Sequence, residues 1–152
     1  METAVKPEVG AELVNPKAGT RTVFTATAAS TGGSYVEVHA SYPPDGRRPP
    51  LHLHSAQDED FTVLAGQLRV VRGDETFSVR AGDAFAVPRG VPHQMWSDGD
   101  DGALLRWRTT PALRTDEMYC ALFALAREHD WAPPLDERLA LVLRFTAEFR
   151  LR

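Results

Sequence analysis

Residues Gly46–Gly66 read GRRPPLHLHSAQDEDFTVLAG, and the fold turns on this stretch. His52 and His54 stand two residues apart among leucines, Glu59 follows five residues later, and a glycine closes each end. If Leu51–His54 is a strand, the two imidazoles share a face, because successive strand side chains alternate. Two imidazoles on one face beside a carboxylate form a chelating arrangement. A His-x-His pair alone is weak evidence, since such pairs arise by chance and buried histidines often only satisfy local hydrogen bonds.

A second segment, GDAFAVPRGVPHQMWS, supplies His93 after a Pro-x-Gly turn. The candidate ligand set is then His52, His54, Glu59 and His93. Three neutral nitrogens and one carboxylate suit a divalent first-row transition metal, with bonds of about 2.0–2.2 Å if the ion is zinc. One protein charge leaves a dication positive overall, so it acts as a Lewis acid. On an octahedral ion, four protein ligands leave two positions for water, dioxygen or substrate. The same donors accept iron, manganese, nickel or zinc, so the expected cofactor is one divalent transition metal ion of unspecified identity.

The surrounding pattern is β. Residues 1–19 form an expected extended arm, with a short strand at Glu12–Val14. From Arg21 the chain is rich in Thr and Val, and GSYVEVHASY sets Val36, Val38 and Ala40 on one face. Short runs follow: LHLH, DFTVL, QLRVVR, TFSVR, DAFAVP, HQMWS and ALLRWRT. They are divided at Ala65-Gly66, Gly73-Asp74, Ala81-Gly82, Arg89-Gly90 and Asp98–Gly102. Many short strands with regular turns make residues 20–110 an all-β sandwich or closed barrel. After Pro111 the spacing becomes helical. TDEMYCALFALAREH and LDERLALVLRFTAEF predict two helices within 111–152, the second with Leu135, Leu139, Val142, Phe145, Thr146 and Phe149 on one stripe.

Taken together, the two segments resemble the two motifs of the cupin superfamily. Gly46, His52, His54, Glu59 and Gly66 fall at the spacings of the first motif. Gly82, Pro88, Gly90 and His93 fall at those of the second, with Ser97 where the family usually has Asn. The short spacing between the motifs is similar to that of small single-domain bacterial cupins. The resemblance implies a double-stranded β-helix, or jelly-roll barrel, with the two C-terminal helices packed outside it. It implies that His52 and His54 point into the barrel, that Pro49 and Pro50 stiffen the approach, and that Glu59 begins the next strand with its carboxylate inward. His93 would close the site from an adjacent strand, and Ser97 would alter a hydrogen bond behind the ligands.

Alternation sets the company of the metal. From Glu59, Phe61 and Val63 face inward; from His93, Met95 and Ser97; in ALLRWRT, Leu105 and Trp107. These six residues are the expected substrate pocket, apolar and aromatic, suited to a planar or hydrophobic substrate rather than to a sugar phosphate. The competing reading is that they simply fill a small barrel's core.

The remaining features exclude or discount. The chain has 152 residues, one domain's worth, and its net charge of −4 gives no support for nucleic-acid or acidic-membrane binding. No run approaches a membrane span and no signal peptide is evident, so a cytoplasmic location is expected. Cys120, the only cysteine, permits no intrachain disulfide. The acidic SDGDD run reads as a hairpin turn, and no nucleophile elbow or phosphate-binding glycine loop is present.

Three function classes follow from the resemblance. The first is a dioxygenase-type oxidoreductase in which Glu59 doubles as a base. The second is a non-redox cyclase or isomerase like the polyketide cyclases. The third is a non-catalytic small-ligand-binding cupin. A homodimer is expected, through the Arg21–Ser30 segment or the apolar C-terminal helices.

Overall fold

The computed structural model describes residues 4–152. Ten antiparallel strands form two facing sheets. The larger carries β1 (Glu12–Asn15), β2 (Thr20–Ala26), β3 (Val36–Tyr42), β9 (Ala103–Thr110), the first half of β5 (Asp58–Arg72) and β7 (Ala84–Val87), in that order. The smaller runs β6 (Glu75–Arg80), second half of β5, β8 (His93–Trp96), β4 (His52–Leu53) and β10 (Arg150–Leu151). This is the all-β jelly-roll barrel that the motifs imply.

Strand β5 belongs to both sheets, where the sequence suggested two strands broken at Ala65-Gly66. The break is a bulge: the register with β9 shifts between Val63 and Ala65, and Gly66 takes φ +75°. A side chain at Gly66 would overlap the Gly102 carbonyl, so only glycine lets the strand bend there and cross from one sheet to the other.

Directly paired residues share a face. Leu13, Phe24, Val38, Trp107 and Phe61 therefore line one continuous inner surface of the large sheet. The β5 end of that surface packs on the small sheet through Phe61, Val63, Leu68, Val70 and Leu105. The β1–β3 end extends past the small sheet and packs on α2 (Thr115–Glu128) through Leu13, Phe24, Val36, Val38 and Cys120. Trp107 touches both clusters.

Between β2 and β3 lies a one-turn helix, α1 (Ala28–Thr31), inside what the sequence suggested was a continuous Thr-rich strand. Thr27 caps it: its hydroxyl accepts from the Ser30 amide, and the Ser30 hydroxyl accepts from the Thr27 amide in return. The last helix also departs from expectation. Helix α3 (Leu135–Val142) ends early in a 3-10 turn, Leu143–Phe145. Two aromatics four residues apart are drawn to different places. Phe145 is 2% exposed, with the Arg114 guanidinium 4.7 Å from its ring centroid, whereas Phe149 reaches the histidines. The chain leaves the helical axis between them and closes as β10. Among the described residues no helix is long and apolar enough to cross a membrane.

Candidate metal centre

The two sheets bring the four expected donors to one end of the barrel. His52 lies on β4 and His93 on β8, paired directly across the ladder. His54 follows β4, and Glu59 comes from the facing sheet on β5. His93 and Glu59 are each 1% exposed, and His54 is also buried. One ring nitrogen from each of His52, His54 and His93 lies within 4.8 Å of the others. Glu59 Oε1 stands 3.0 Å from His54 Nε2 and 2.9 Å from His93 Nε2.

These close approaches are not aligned hydrogen bonds: all three atoms are buried without a hydrogen-bond partner. Their spacing matches neighbouring ligands on one ion, since two donors about 2.1 Å from a metal and at right angles to each other lie ~3.0 Å apart. The other ring nitrogens settle the tautomers. His52 Nδ1–H donates to Pro50 O at 2.9 Å, His93 Nδ1–H to Val91 O at 2.9 Å, and His54 Nδ1–H to the Glu148 carbonyl. With Nδ1 protonated, each Nε2 carries a lone pair, as a metal ligand requires. The donor set therefore fits a divalent ion.

The donors are also tightly coupled in charge. Burial would raise the Glu59 carboxyl, but the imidazoles of His54 and His93 more than offset it and hold it at about 2. Burial holds His52 down at about 4, so its ring is neutral. His54 is the exception: burial opposes its charge, yet the Glu59 carboxylate wins and raises it.

The rest of the environment is apolar. A cavity of about 280 Å³ opens over the histidines, walled by Tyr42, Met95, Trp107, Tyr119 and Phe149 among others. Of the six pocket residues expected from alternation, Met95, Ser97 and Trp107 line it. Phe61, Val63 and Leu105 do not; they lie in the packed core between the sheets, the competing reading for those three. Alternation assigns a residue to the interior but does not say whether that level of the interior is filled.

Residues missed from the sequence complete the wall. Tyr42 continues the Val36, Val38, Ala40 alternation by one more step, so its signal was present. Met118, Tyr119 and Leu122 come from α2, and Phe149 from the turn before β10; strand periodicity carries no signal for these. Burial, reinforced by the Glu59 charge, lifts the Tyr42 phenol to about 12 and Tyr119 well above its ordinary value.

Two contacts brace the donors. Trp107 Nε1–H donates to Glu59 Oε2 at 2.5 Å, leaving Oε1 toward the imidazoles. Ser97 Oγ accepts from the Gly46 amide at 3.0 Å and donates to Pro43 O at 2.6 Å. A Cβ at Gly46 would collide with that hydroxyl, so the serine and the first glycine of the His-x-His segment fit each other. The serine in place of asparagine thus clasps the loop leading to His52. Cys120 takes no part; burial lifts its thiol to about 11, where it stays protonated.

A family model described as "Cupin domain" matches residues 38–107, the span holding all four donors. An oxidoreductase, iacF, from the fungus Pestalotiopsis fici is 36% identical over 63 residues, covering 39% of this chain. The chain spans only 31% of that protein. The cupin domain of Schizosaccharomyces pombe Cnp3 superposes with a TM-score of 0.56 at 17% identity, covering 70% of this chain and 74% of that one. Bacillus subtilis oxalate decarboxylase superposes with a TM-score of 0.56 at 21% identity over 66% of this chain and 27% of its own. At such identities the superpositions speak to fold.

Proposed function

We propose, from the Cupin domain match over residues 38–107 and the jelly-roll fold, that this cupin chain is a metal-dependent oxidoreductase of the dioxygenase type. Its substrate is a small, largely apolar or aromatic organic molecule. One observation carries the reading: four donors converge, with every Nδ1 committed to a backbone carbonyl, at the floor of an aromatic cavity. The fungal relative named as an oxidoreductase supports the same class.

His52, His54, Glu59 and His93 would hold the ion. When bound, iron, manganese or nickel would supply Lewis acidity and redox chemistry toward dioxygen. Glu59 acts here as ligand rather than base. Its Oε1 faces the imidazoles of His54 and His93, and its Oε2 already accepts from Trp107. Tyr42 and Tyr119 on the cavity wall remain phenols and are the candidate proton donors to a substrate oxygen, the Tyr119 hydroxyl being shared with Thr109. The walls at Trp107 and Phe149 orient a flat ring and exclude water.

Those protonated phenols also favour a second reading, non-redox cyclisation or isomerisation with zinc. Metal content, measured on protein purified without chelator or nickel resin, separates the two. Stoichiometric iron, manganese or nickel, with oxygen uptake on phenolic or enol substrates, supports the oxidoreductase. Zinc without oxygen uptake supports the second reading. No metal after reconstitution with each ion ends both. The same proposal carries a homodimer; Leu135 and Leu143 on the C-terminal helical segment are 61% and 71% exposed. Light scattering showing a single 16.8 kDa chain at micromolar concentration would remove the dimer.

A further inference from the structure

Strand β4, which carries His52, is two residues long and pairs with β8 at a single position, His52 opposite His93. So short an edge holds little register by itself. Its other side is covered by the C-terminal segment. Arg150 pairs with Leu53 and Leu151 with His52, and the Arg152 amide donates to Leu51 O at 3.0 Å.

The segment also touches the imidazoles. The Glu148 carbonyl accepts from His54 Nδ1–H. The Phe149 ring stacks on His52 with centroids 4.8 Å apart and planes 20° apart, and meets His54 edge-on at 6.1 Å. His52 and His93 find their carbonyl partners two residues away in their own loops, so their tautomers are set locally. His54 finds its partner 94 residues later. Its tautomer and ring angle depend on a piece of chain that must first dock.

We propose that residues 148–152 are a working part of the metal centre: the Glu148 carbonyl and the Phe149 ring position His54 and His52, so docking of the segment and metal binding are linked. The proposal rests on reading the four donors as a metal site. Linkage is reciprocal. Metal must tighten the segment's hold on β4 by the same factor by which the docked segment tightens metal binding. Groups behind a metal ligand typically contribute about 10–100-fold to affinity.

The test uses the full chain and cobalt(II) alone. Hydrogen exchange at residues 149–152 is followed with and without saturating cobalt, and affinity is measured by chelator competition for the native protein and Phe149→Ala. Phe149→Tyr, which keeps the stacked ring, is the rescue variant. A second variant ends at Thr146. The expected results are exchange slowed about tenfold or more by cobalt, and affinity about tenfold weaker in Phe149→Ala with native affinity in Phe149→Tyr. Truncation should weaken affinity further and alter the cobalt absorption spectrum as His54 loses its orientation. Should the truncated chain fail to fold, the exchange data and the two Phe149 variants decide. Native cobalt binding with unchanged exchange and an unaffected Phe149→Ala would overturn the proposal while sparing the donor site. A native protein that binds no cobalt would sink both.

Discussion

The interior of this barrel has two ends, and a single strand serves both. At the closed end, Phe61, Val63, Leu68, Val70 and Leu105 fill the space between the sheets. At the open end Glu59, two residues before Phe61 and on the same face of β5, meets imidazoles from the opposite sheet. Two residues of chain separate a candidate metal ligand from a packed core. The difference lies in what stands across the gap. Over the closed end the small sheet is continuous, whereas at the open end β4 shrinks to two residues and the covering layer is α2 with the C-terminal segment. Strands set in and out; the coverage at each end sets filled or hollow.

The sharpest way to break that contrast is to remove a donor. His93→Ala should take cobalt or zinc binding below detection in chelator competition, a larger loss than the about 10–100-fold typical of groups behind a ligand. Stoichiometric binding by that variant would mean that the open end is not the metal site. At the closed end, Phe61→Ala should cost about 3–5 kcal/mol of stability, read by denaturant unfolding, because a fully buried ring leaves a cavity. Its metal stoichiometry should stay intact where the chain remains folded.

Trp107→Phe probes the border. It keeps a ring on the wall but drops the bond to Glu59 Oε2, so metal affinity should fall about tenfold. A cobalt spectrum identical to native would show that the indole does not orient the carboxylate. The mildest probe is pH. Metal binding needs neutral imidazoles, and His54 is the donor whose proton affinity is raised by the Glu59 carboxylate despite burial. Affinity should therefore decline as pH falls, beginning above the ordinary histidine value of about 6.5. His52, held at about 4, and Glu59, held at about 2, add competition only in acid. Calorimetric titration between about pH 8 and about pH 6 reads the slope, and a flat profile would exclude His54 as a ligand.

Much of this was legible in the sequence, because motif spacing and alternation are local. The spacing of His52, His54, Glu59 and His93 becomes a shared point once each stands on its strand. Longer-range geometry was not legible. Ala65-Gly66 has the composition of a turn, and only the proximity of Gly102 makes it a bend within one strand. Phe149 obeys helical spacing in sequence, yet its stacking on His52 and the pairing of β10 with β4 pull the chain off that helix. Thr27 and Ser30 form a capping box in which serine takes the place of the usual Glu or Gln, a signal that the Thr-rich run concealed.

Met118, Tyr119 and Leu122 wall the cavity from α2, and as helical residues they take no part in the ladder hydrogen bonds of either sheet. Substitutions at Leu122 can therefore resize the chamber with the strand registers unchanged, whereas those at Tyr119 also reach Trp107, the indole that holds Glu59. The barrel carries the donors and the helix shapes the space above them, so at Leu122 chamber and donor set can be varied separately.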